Sequence, residues 1–410
     1  MSPTLLQRGV SLIELMIAVA LASFLLVGLV QIFSASRLAY QTSTQLSRVQ
    51  EGSRFATEFL QRDLRMAGHM GCLGDRVRRS ASANDPATPI LDSLFLTPAQ
   101  YLARNFGAAP FALRFDFPIQ GFEAVGTAPG GSVNVSAPGG GWTPALDGAL
   151  AALAPAPRAG SDVLVLRIFS SDGALLRETL SAPATGAIGL PRTLRIETAR
   201  SALLVNQGYY GVASCDFAAV FQADLTGQAA GDLVVSTTGG NAATAFTLAG
   251  GDEQMAYVAN VAQMFRLDPL VYYVGQGASG IPSLFRARFA NGAWASEEVV
   301  EGVDSLQLLY GRDRLPANRR DGAIEDYVTA DQIEAGAANY NERMLRWNDV
   351  IAVRLGVVLR GPERAGTPDR AAASGNLFVL GVRIDQNANE AVLRRPYETA
   401  VTLRNRVLGN

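Results

Sequence analysis

One apolar segment near the amino terminus limits what this chain can fold into more than any other feature. Residues 10–33 (VSLIELMIAVALASFLLVGLVQIF) contain no Arg, Lys or Asp, and their only charged side chain is Glu14. A helix of this length would be about 36 Å long at about 1.5 Å per residue, which exceeds the bilayer hydrocarbon thickness of about 30 Å. The segment therefore predicts a transmembrane helix.

A cleaved secretory signal peptide is the main alternative for this segment. Residues 20–22 (ALA) before Ser23 have the small-x-small pattern of a signal peptidase site. The apolar sequence continues through residues 24–33, however, where a polar mature start is expected, and Glu14 interrupts the hydrophobic core of such a signal. A carboxylate at the bilayer centre costs about 2.5–3.5 kcal/mol, so we expect Glu14 to have a partner.

The helical pattern continues beyond the membrane segment. Apolar or small residues recur at spacings of three and four up to Leu64, while Glu58 lies four residues from both Arg54 and Arg62, which favours a solvated helical face. These spacings predict one helix over residues 10–66, about 85 Å long. Three glycines then predict its end: Gly68, Gly71 and Gly74.

The sequence RGVSLIEL (residues 8–15) resembles the class III signal of type IV prepilins and type II secretion pseudopilins. The resemblance implies that residues 1–9 are a leader, that a prepilin peptidase cuts between Gly9 and Val10, and that the new Val10 amine is methylated. It also implies that Glu14 pairs with the amino terminus of a neighbouring subunit during assembly, since such a pair is strong at low dielectric. Gln31 stands where many major pilins have a proline, which favours a minor pilin or pseudopilin.

The remaining residues, 67–410, predict a mostly β head. Apolar and β-branched runs bounded by turn residues predict strands at 112–117, 161–169, 193–197, 215–222, 231–236, 270–274, 283–290 and 305–311. Residues 349–361 alternate in polarity, with Arg354 and Arg360 on a mixed face, as expected for a strand that covers one core. A Gly/Ala/Pro-rich stretch at about 124–160 predicts a surface loop or insertion. The predicted fold class is therefore α+β and pilin-like, with a long helix on an antiparallel head that carries large loops.

Three segments of the carboxy-terminal half resemble the PilW family of type IV pilus minor pilins: residues 300–313, 347–361 and 394–406, together with GCLGD at 71–75. The resemblance implies a minor pilin in the bacterial inner membrane with a periplasmic head, which primes or caps pilus assembly and enters the pilus at the cell surface. Its implied partners are other minor pilins, the major pilin, the inner-membrane assembly platform and a large tip adhesin. A J-type pseudopilin of type II secretion and a membrane-tethered periplasmic binding protein or enzyme are the alternatives.

Composition excludes several other classes of function. A formal net charge of −2 gives no case for direct nucleic-acid binding, which needs a basic surface, and the absence of lysine excludes Schiff-base chemistry. No nucleophile elbow, phosphate-binding loop or HExxH motif occurs. We therefore predict neither catalysis nor a cofactor.

Two cysteines and one histidine are the remaining reactive side chains. Cys72 and Cys215 match no C-x-x-C spacing, so they predict a single disulfide if the chain is exported, and two buried free thiols otherwise. His69 is the only histidine. Without a second imidazole, a surface or helix-capping role is favoured over metal binding.

Four carboxylates in one acidic region have the residue types of a calcium site: Asp313, Asp321, Glu325 and Asp326. These carboxylates do not follow the spacing of a calcium-binding loop, and four nearby arginines oppose a cation, so a solvated turn is favoured and no metal is predicted. Aromatic residues at 208–211 and 270–274 could line a ligand groove, but cross-strand packing explains them more simply.

Overall fold

A long amino-terminal helix carries a head built mostly from β-strands in the computed structural model of the protein. The structure describes residues 11–73, 91–103, 105–181, 187–189, 192–197, 199–200, 205, 207–224, 232–235, 239–243, 245–247, 256–314, 321–364, 377–387, 390 and 392–406. The predicted α+β architecture, a long helix on a mostly β head, is confirmed.

Helix α1 (Leu12–Met66) has 55 residues and is therefore about 82 Å long. Its carboxy-terminal part packs on the head along one face, because buried residues recur there every three or four positions. The buried residues are Gln45, Val49, Ser53, Ala56, Leu60, Asp63 and Leu64.

Two features end helix α1: glycines that follow it and a hydrogen bond from Asn405 to its last turn. Gly68 and Gly71 adopt φ values of +76° and +65°, which glycine accepts without strain. The side-chain amide of Asn405 donates to the carbonyl oxygen of Arg65 at 3.0 Å, which satisfies a carbonyl of the last helical turn. The predicted stop is confirmed at Gly68, while Gly74 lies outside the described residues.

The other helices and the strands follow in chain order. The helices are α2 (Pro98–Leu102), α3 (Gly148–Ala151), α4 (Ala330–Glu334) and α5 (Tyr340–Trp347). The strands are β1 (Leu91–Ser93), β2 (Ile119–Ala124), β3 (Ser132–Asn134), β4 (Trp142–Thr143), β5 (Val163–Phe169), β6 (Ala174–Leu175), β7 (Leu180–Ser181), β8 (Ala187–Gly189), β9 (Arg192–Arg195), β10 (Gly208–Ala213), β11 (Ala218–Ala223), β12 (Asp232–Val235), β13 (Ala245–Thr247), β14 (Ala256–Tyr257), β15 (Gln263–Gln276), β16 (Pro282–Ala290), β17 (Ala293–Glu301), β18 (Val303–Arg312), β19 (Asp326–Val328), β20 (Val350–Arg364), β21 (Leu377–Val379), β22 (Val382–Asp385) and β23 (Val392–Thr402).

Two main sheets form the described head. The larger has the order β1-β11-β10-β15-β5-β2-β4, with β6 and β16 also paired to β15 and with β17 beside β16. The smaller has the order β19-β18-β20-β23. Its strands are antiparallel, as are those of the larger sheet apart from the parallel pair β1–β11.

Strand β20 corrects one prediction. Its residues Val353, Leu355 and Val357 face the core shared with α1, as the alternation indicates. Its other face is also covered, because Val358 packs with Val379 of the three-stranded sheet β21-β22-β3. The expectation of a strand covering one core was wrong, since a distant part of the chain supplies a second layer.

Two further segments differ from the sequence predictions. Residues 112–117 do not form a strand, because a 3₁₀ turn (Phe111–Leu113) and further turns occupy this stretch. The Gly/Ala/Pro-rich stretch contains β3, β4 and α3, and it buries Val133 and Leu150. Few large apolar residues suffice here because they pack on sheets that other segments build.

The aromatic side chains of β10 and β15 pack against neighbouring strands, as predicted. Tyr273 stacks on Phe285 with ring centroids 5.6 Å apart, and Tyr210 lies 6.4 Å from Phe221. Cross-strand packing therefore accounts for these aromatic residues.

Candidate assembly site and its support

The amino-terminal part of α1 exposes an apolar surface. Its large apolar residues from Leu12 to Phe33 are between 55% and 78% exposed, the extremes being Ile17 and Phe24. Such a surface is far larger than the few hundred Å² that a soluble monomer normally exposes. Among the described residues, α1 is the one helix long and apolar enough to cross a membrane. Lipid or other protein chains must therefore cover it.

Glu14 lies in the first turn of α1, inside this apolar surface. Its side chain is exposed, and its Oε2 accepts a hydrogen bond from the backbone N–H of Ser11 at 3.3 Å. A carboxylate is favourable there because the start of a helix carries a partial positive charge. Gly9 and Val10 lie outside the described residues, so the cleavage and methylation at these two residues stay predictions.

A buried carboxylate on α1 ties the helix to the larger sheet. The Tyr272 hydroxyl donates to Asp63 Oδ2 at 2.6 Å, and Arg286 Nη1 donates to the same oxygen at 3.4 Å. Burial and the neighbouring carboxylate raise the pKa of Tyr272 above its usual value. We did not predict this contact. The position of Asp63 between Leu60 and Leu64, on the apolar face of the helix, could have indicated a buried carboxylate with a partner.

A disulfide holds the segment that leaves α1. Cys72 is bonded to Cys215, which lies in the turn between β10 and β11, and their Cα atoms are 4.7 Å apart. The predicted disulfide is confirmed, and the alternative of two free thiols is wrong. The bond links the start of the head to the β10–β11 turn, 143 residues later in the chain.

The side chain of His69 lies against the head, while its backbone N–H donates to the carbonyl oxygen of Met66, the last residue of α1, at 2.9 Å. His69 is half-buried, its Nδ1 lies 3.2 Å from the carbonyl oxygen of Phe169, and its ring meets that of Phe265 edge-on at 5.6 Å. Burial lowers its pKa below the usual value. The prediction of a surface position was wrong, because the exit segment lies against β5 and β15 instead of in solvent, whereas a capping contact is present through the backbone N–H.

The structure brings together three of the four acidic residues that the sequence singled out. One oxygen from each of Asp313, Asp321 and Glu325 lies within 4.8 Å of the others. Glu325 accepts the backbone N–H of Arg314 at 2.8 Å, whereas Asp326 lies apart from this group, in a salt bridge with Arg312. These hydrogen bonds fit the predicted turn, and the absence of a metal stays a prediction.

Two family models match this chain, one near its amino terminus and one in its carboxy-terminal part. Residues 5–30 match the family model described as the prokaryotic N-terminal methylation motif, and residues 271–405 match that of type IV pilus-assembly protein W (PilW). The second match runs from within β15 to just beyond β23. No curated protein and no solved structure gives a significant match.

These matches and the exposed helix define the class of protein. A methylation motif that leads into a long apolar helix, followed by a β-rich head, is the architecture of a prepilin-like protein. Residues 271–405 match the PilW family model of type IV pilus-assembly proteins, which confirms the resemblance predicted from the sequence. The chain therefore has a role related to type IV pili.

Proposed function

We propose that this chain is a minor pilin that primes or caps type IV pilus assembly and is itself incorporated into the pilus. The observation that carries the proposal is the continuity of one helix, which begins in the methylation motif, exposes an apolar surface and then supports a head whose residues 271–405 match the PilW family model. Such a helix allows one subunit to pass from membrane to filament, since both environments cover the same apolar side chains.

The chemistry of assembly rests on three residues in this proposal. Cleavage after Gly9 would place a new positive amine on Val10. This residue directly precedes Ser11, whose backbone N–H donates a hydrogen bond to Glu14. A second subunit entering the apolar environment would bring an amine that needs an anion, and Glu14 supplies one. An unpaired charge is penalised at low dielectric, so pairing favours subunits docked in one register.

The proposed location and partners follow from this role. The chain would sit in the bacterial inner membrane with its head in the periplasm, and would later lie in the pilus at the cell surface. Prepilin peptidase would process it, and other minor pilins, the major pilin, the assembly platform and a large tip adhesin would bind it. We infer no catalytic activity.

Co-purification of the detergent-solubilised full chain with the other minor pilins tests the priming role. Absence of those pilins from the complex would contradict it.

The mature amino terminus provides the first test. We expect mass spectrometry of the protein from its membrane fraction to find a chain that begins at N-methylated Val10. A chain that begins at Ser23 would instead indicate a secretory signal peptide, and an uncut Met1 would indicate an ordinary membrane anchor. Either result would refute the minor pilin proposal.

Glu14 provides the second test. Replacing Glu14 with alanine is expected to leave cleavage and protein level unchanged while reducing the number of assembled pili several-fold, because the partner amine loses its anion. Electron microscopy counts of pili measure the effect. The matched control is Glu58→Ala, which removes an exposed carboxylate from the same helix beyond the apolar segment. Equal piliation in the two variants would exclude the pairing role.

A further inference from the structure

The two main sheets of the head are joined by a seam of hydrogen bonds. Residues 160–162, just before β5 of the larger sheet, lie against β18 of the smaller sheet. The backbone N–H of Asp162 donates to the carbonyl oxygen of Leu306 at 2.8 Å, and the N–H of Leu306 donates to Ser161 Oγ at 3.0 Å. The relative position of the sheets therefore depends on polar groups here as well as on apolar packing.

The Asp162 carboxylate spans this seam. Its Oδ1 accepts the backbone N–H of Ala124 in β2, and its Oδ2 accepts that of Leu308 in β18, both at 2.8 Å. The residue is 1% exposed. One fully buried carboxylate thus holds a strand from each sheet, and its two N–H donors favour its ionised form.

A second buried carboxyl group lies beside it. Glu123 precedes Ala124 in β2, is 4% exposed, and accepts the Thr127 hydroxyl through Oε1 at 3.2 Å. Its other oxygen, Oε2, is buried without a hydrogen-bond partner. An ionised carboxylate with an unsatisfied oxygen is costly in the interior, whereas a proton on that oxygen removes the charge.

The groups that face Glu123 oppose its ionisation. Asp162 beside β5 and Asp331 in α4 are like charges. The Thr127 hydroxyl favours the ionised form, and so, more weakly and without a hydrogen bond of ordinary geometry, does the Ala330 backbone N–H. Tyr310 of β18 brings a buried hydroxyl that has no partner. No arginine in the described parts of the chain forms an ion pair with Glu123 or Asp162.

We propose that the Glu123–Asp162 pair is a proton-dependent joint between the two sheets: while Glu123 is neutral, Asp162 holds β2 and β18 together, and ionisation of Glu123 places a second negative charge beside it and loosens the two strands. Burial, and then the charge of Asp162, raise the pKa of Glu123 to about 9, while burial raises the pKa of Asp162 to about 7. At neutral pH, Glu123 therefore keeps its proton.

The direction of the pH dependence follows from these shifts. A carboxyl group whose pKa is higher in the folded state contributes stability that is complete below its unfolded pKa, near 4.5 for Glu123. That stability is lost as the pH rises through the folded value. The joint is therefore strongest in mild acid and weakest in mild alkali.

Thermal unfolding of the full chain in detergent tests the joint. Between pH 6 and pH 9, we expect the melting temperature of the wild type to fall by about 5 °C more than that of Glu123→Gln, which mimics the neutral acid. The matched control, Glu58→Gln, changes an exposed glutamate and should follow the wild type. Equal pH slopes for wild type and Glu123→Gln would overturn the proposal.

Hydrogen exchange in the unmodified protein provides a second measurement that needs no variant. The amides of Ala124 and Leu308, corrected for the intrinsic effect of pH on exchange, should lose protection at least about tenfold between pH 6 and pH 9. The amides of β16 serve as the internal reference and should keep theirs. Unchanged protection of Ala124 and Leu308 would refute the joint.

Discussion

Replacing Cys72 and Cys215 together with serine is expected to lower the free energy of unfolding by about 4–5 kcal/mol in the chain-entropy model. The bond links residues 143 positions apart, so it removes much conformational freedom from the unfolded chain. Guanidinium denaturation of the full protein in detergent, followed by tryptophan fluorescence, measures the loss. The double variant should still fold, because residues 67–73 are also held by packing and hydrogen bonds.

A reductant is the control for the disulfide prediction. Reduced wild type should unfold at the same denaturant concentration as the double serine variant, and the variant should not respond to the reductant. Both expectations follow if the covalent link, and not the size of the sulfur atoms, provides the stability. A wild type that is equally stable with and without reductant would contradict the prediction.

Replacing Asp63 with alanine is expected to cost about 3 kcal/mol, since it leaves the buried Tyr272 hydroxyl with only the carbonyl oxygen of Phe59, 3.4 Å away, and Arg286 without one of its anions. This loss of stability is at the low end for a broken buried ion pair, because Arg286 also binds Glu297. The Arg286 Nε donates to Glu297 Oε1 at 2.6 Å. Asp63→Asn, which keeps an acceptor oxygen, should lose less. The same denaturation experiment measures all variants.

The control for Asp63 lies on the exposed face of the same helix. Glu58→Ala should change the stability by less than about 0.5 kcal/mol, because it removes a carboxylate that water already solvates. If Asp63→Ala and Glu58→Ala were equally stable, the buried carboxylate would not hold the helix to the head. Hydrogen exchange in α1 would then be expected to remain unchanged as well.

The helix illustrates how far periodicity can predict a fold. Spacings of three and four predicted one continuous helix, and the structure places α1 over Leu12–Met66. The same spacings did not predict that Gln45 and Asp63 would be buried while Thr42 is exposed. Periodicity describes the helix alone, whereas burial depends on which strands lie against it.

For the strands too, the local sequence predicted most of the elements but not what packs against them. Most of the predicted apolar runs are strands, since β-branched residues bounded by turns indicate extended backbone by themselves. Residues 112–117 were predicted wrongly, because aromatic content alone does not distinguish a strand from buried turns. The second core layer on β20 could not be predicted either, since it comes from β21, β22 and the distant β3.

The sequence by itself determined the features that are local. Each of these features lies in a continuous stretch of the chain, so periodicity and motif suffice to find it. They are the apolar helix, the residues that resemble a prepilin signal and the PilW-like region. Tertiary structure alone decided that Cys72 meets Cys215, that Asp63 meets Tyr272, and that Asp162 joins two sheets. The contacts of Cys72 with Cys215, Asp63 with Tyr272 and Asp162 with Leu308 each join residues more than a hundred positions apart, and only the packing of whole sheets brings them together.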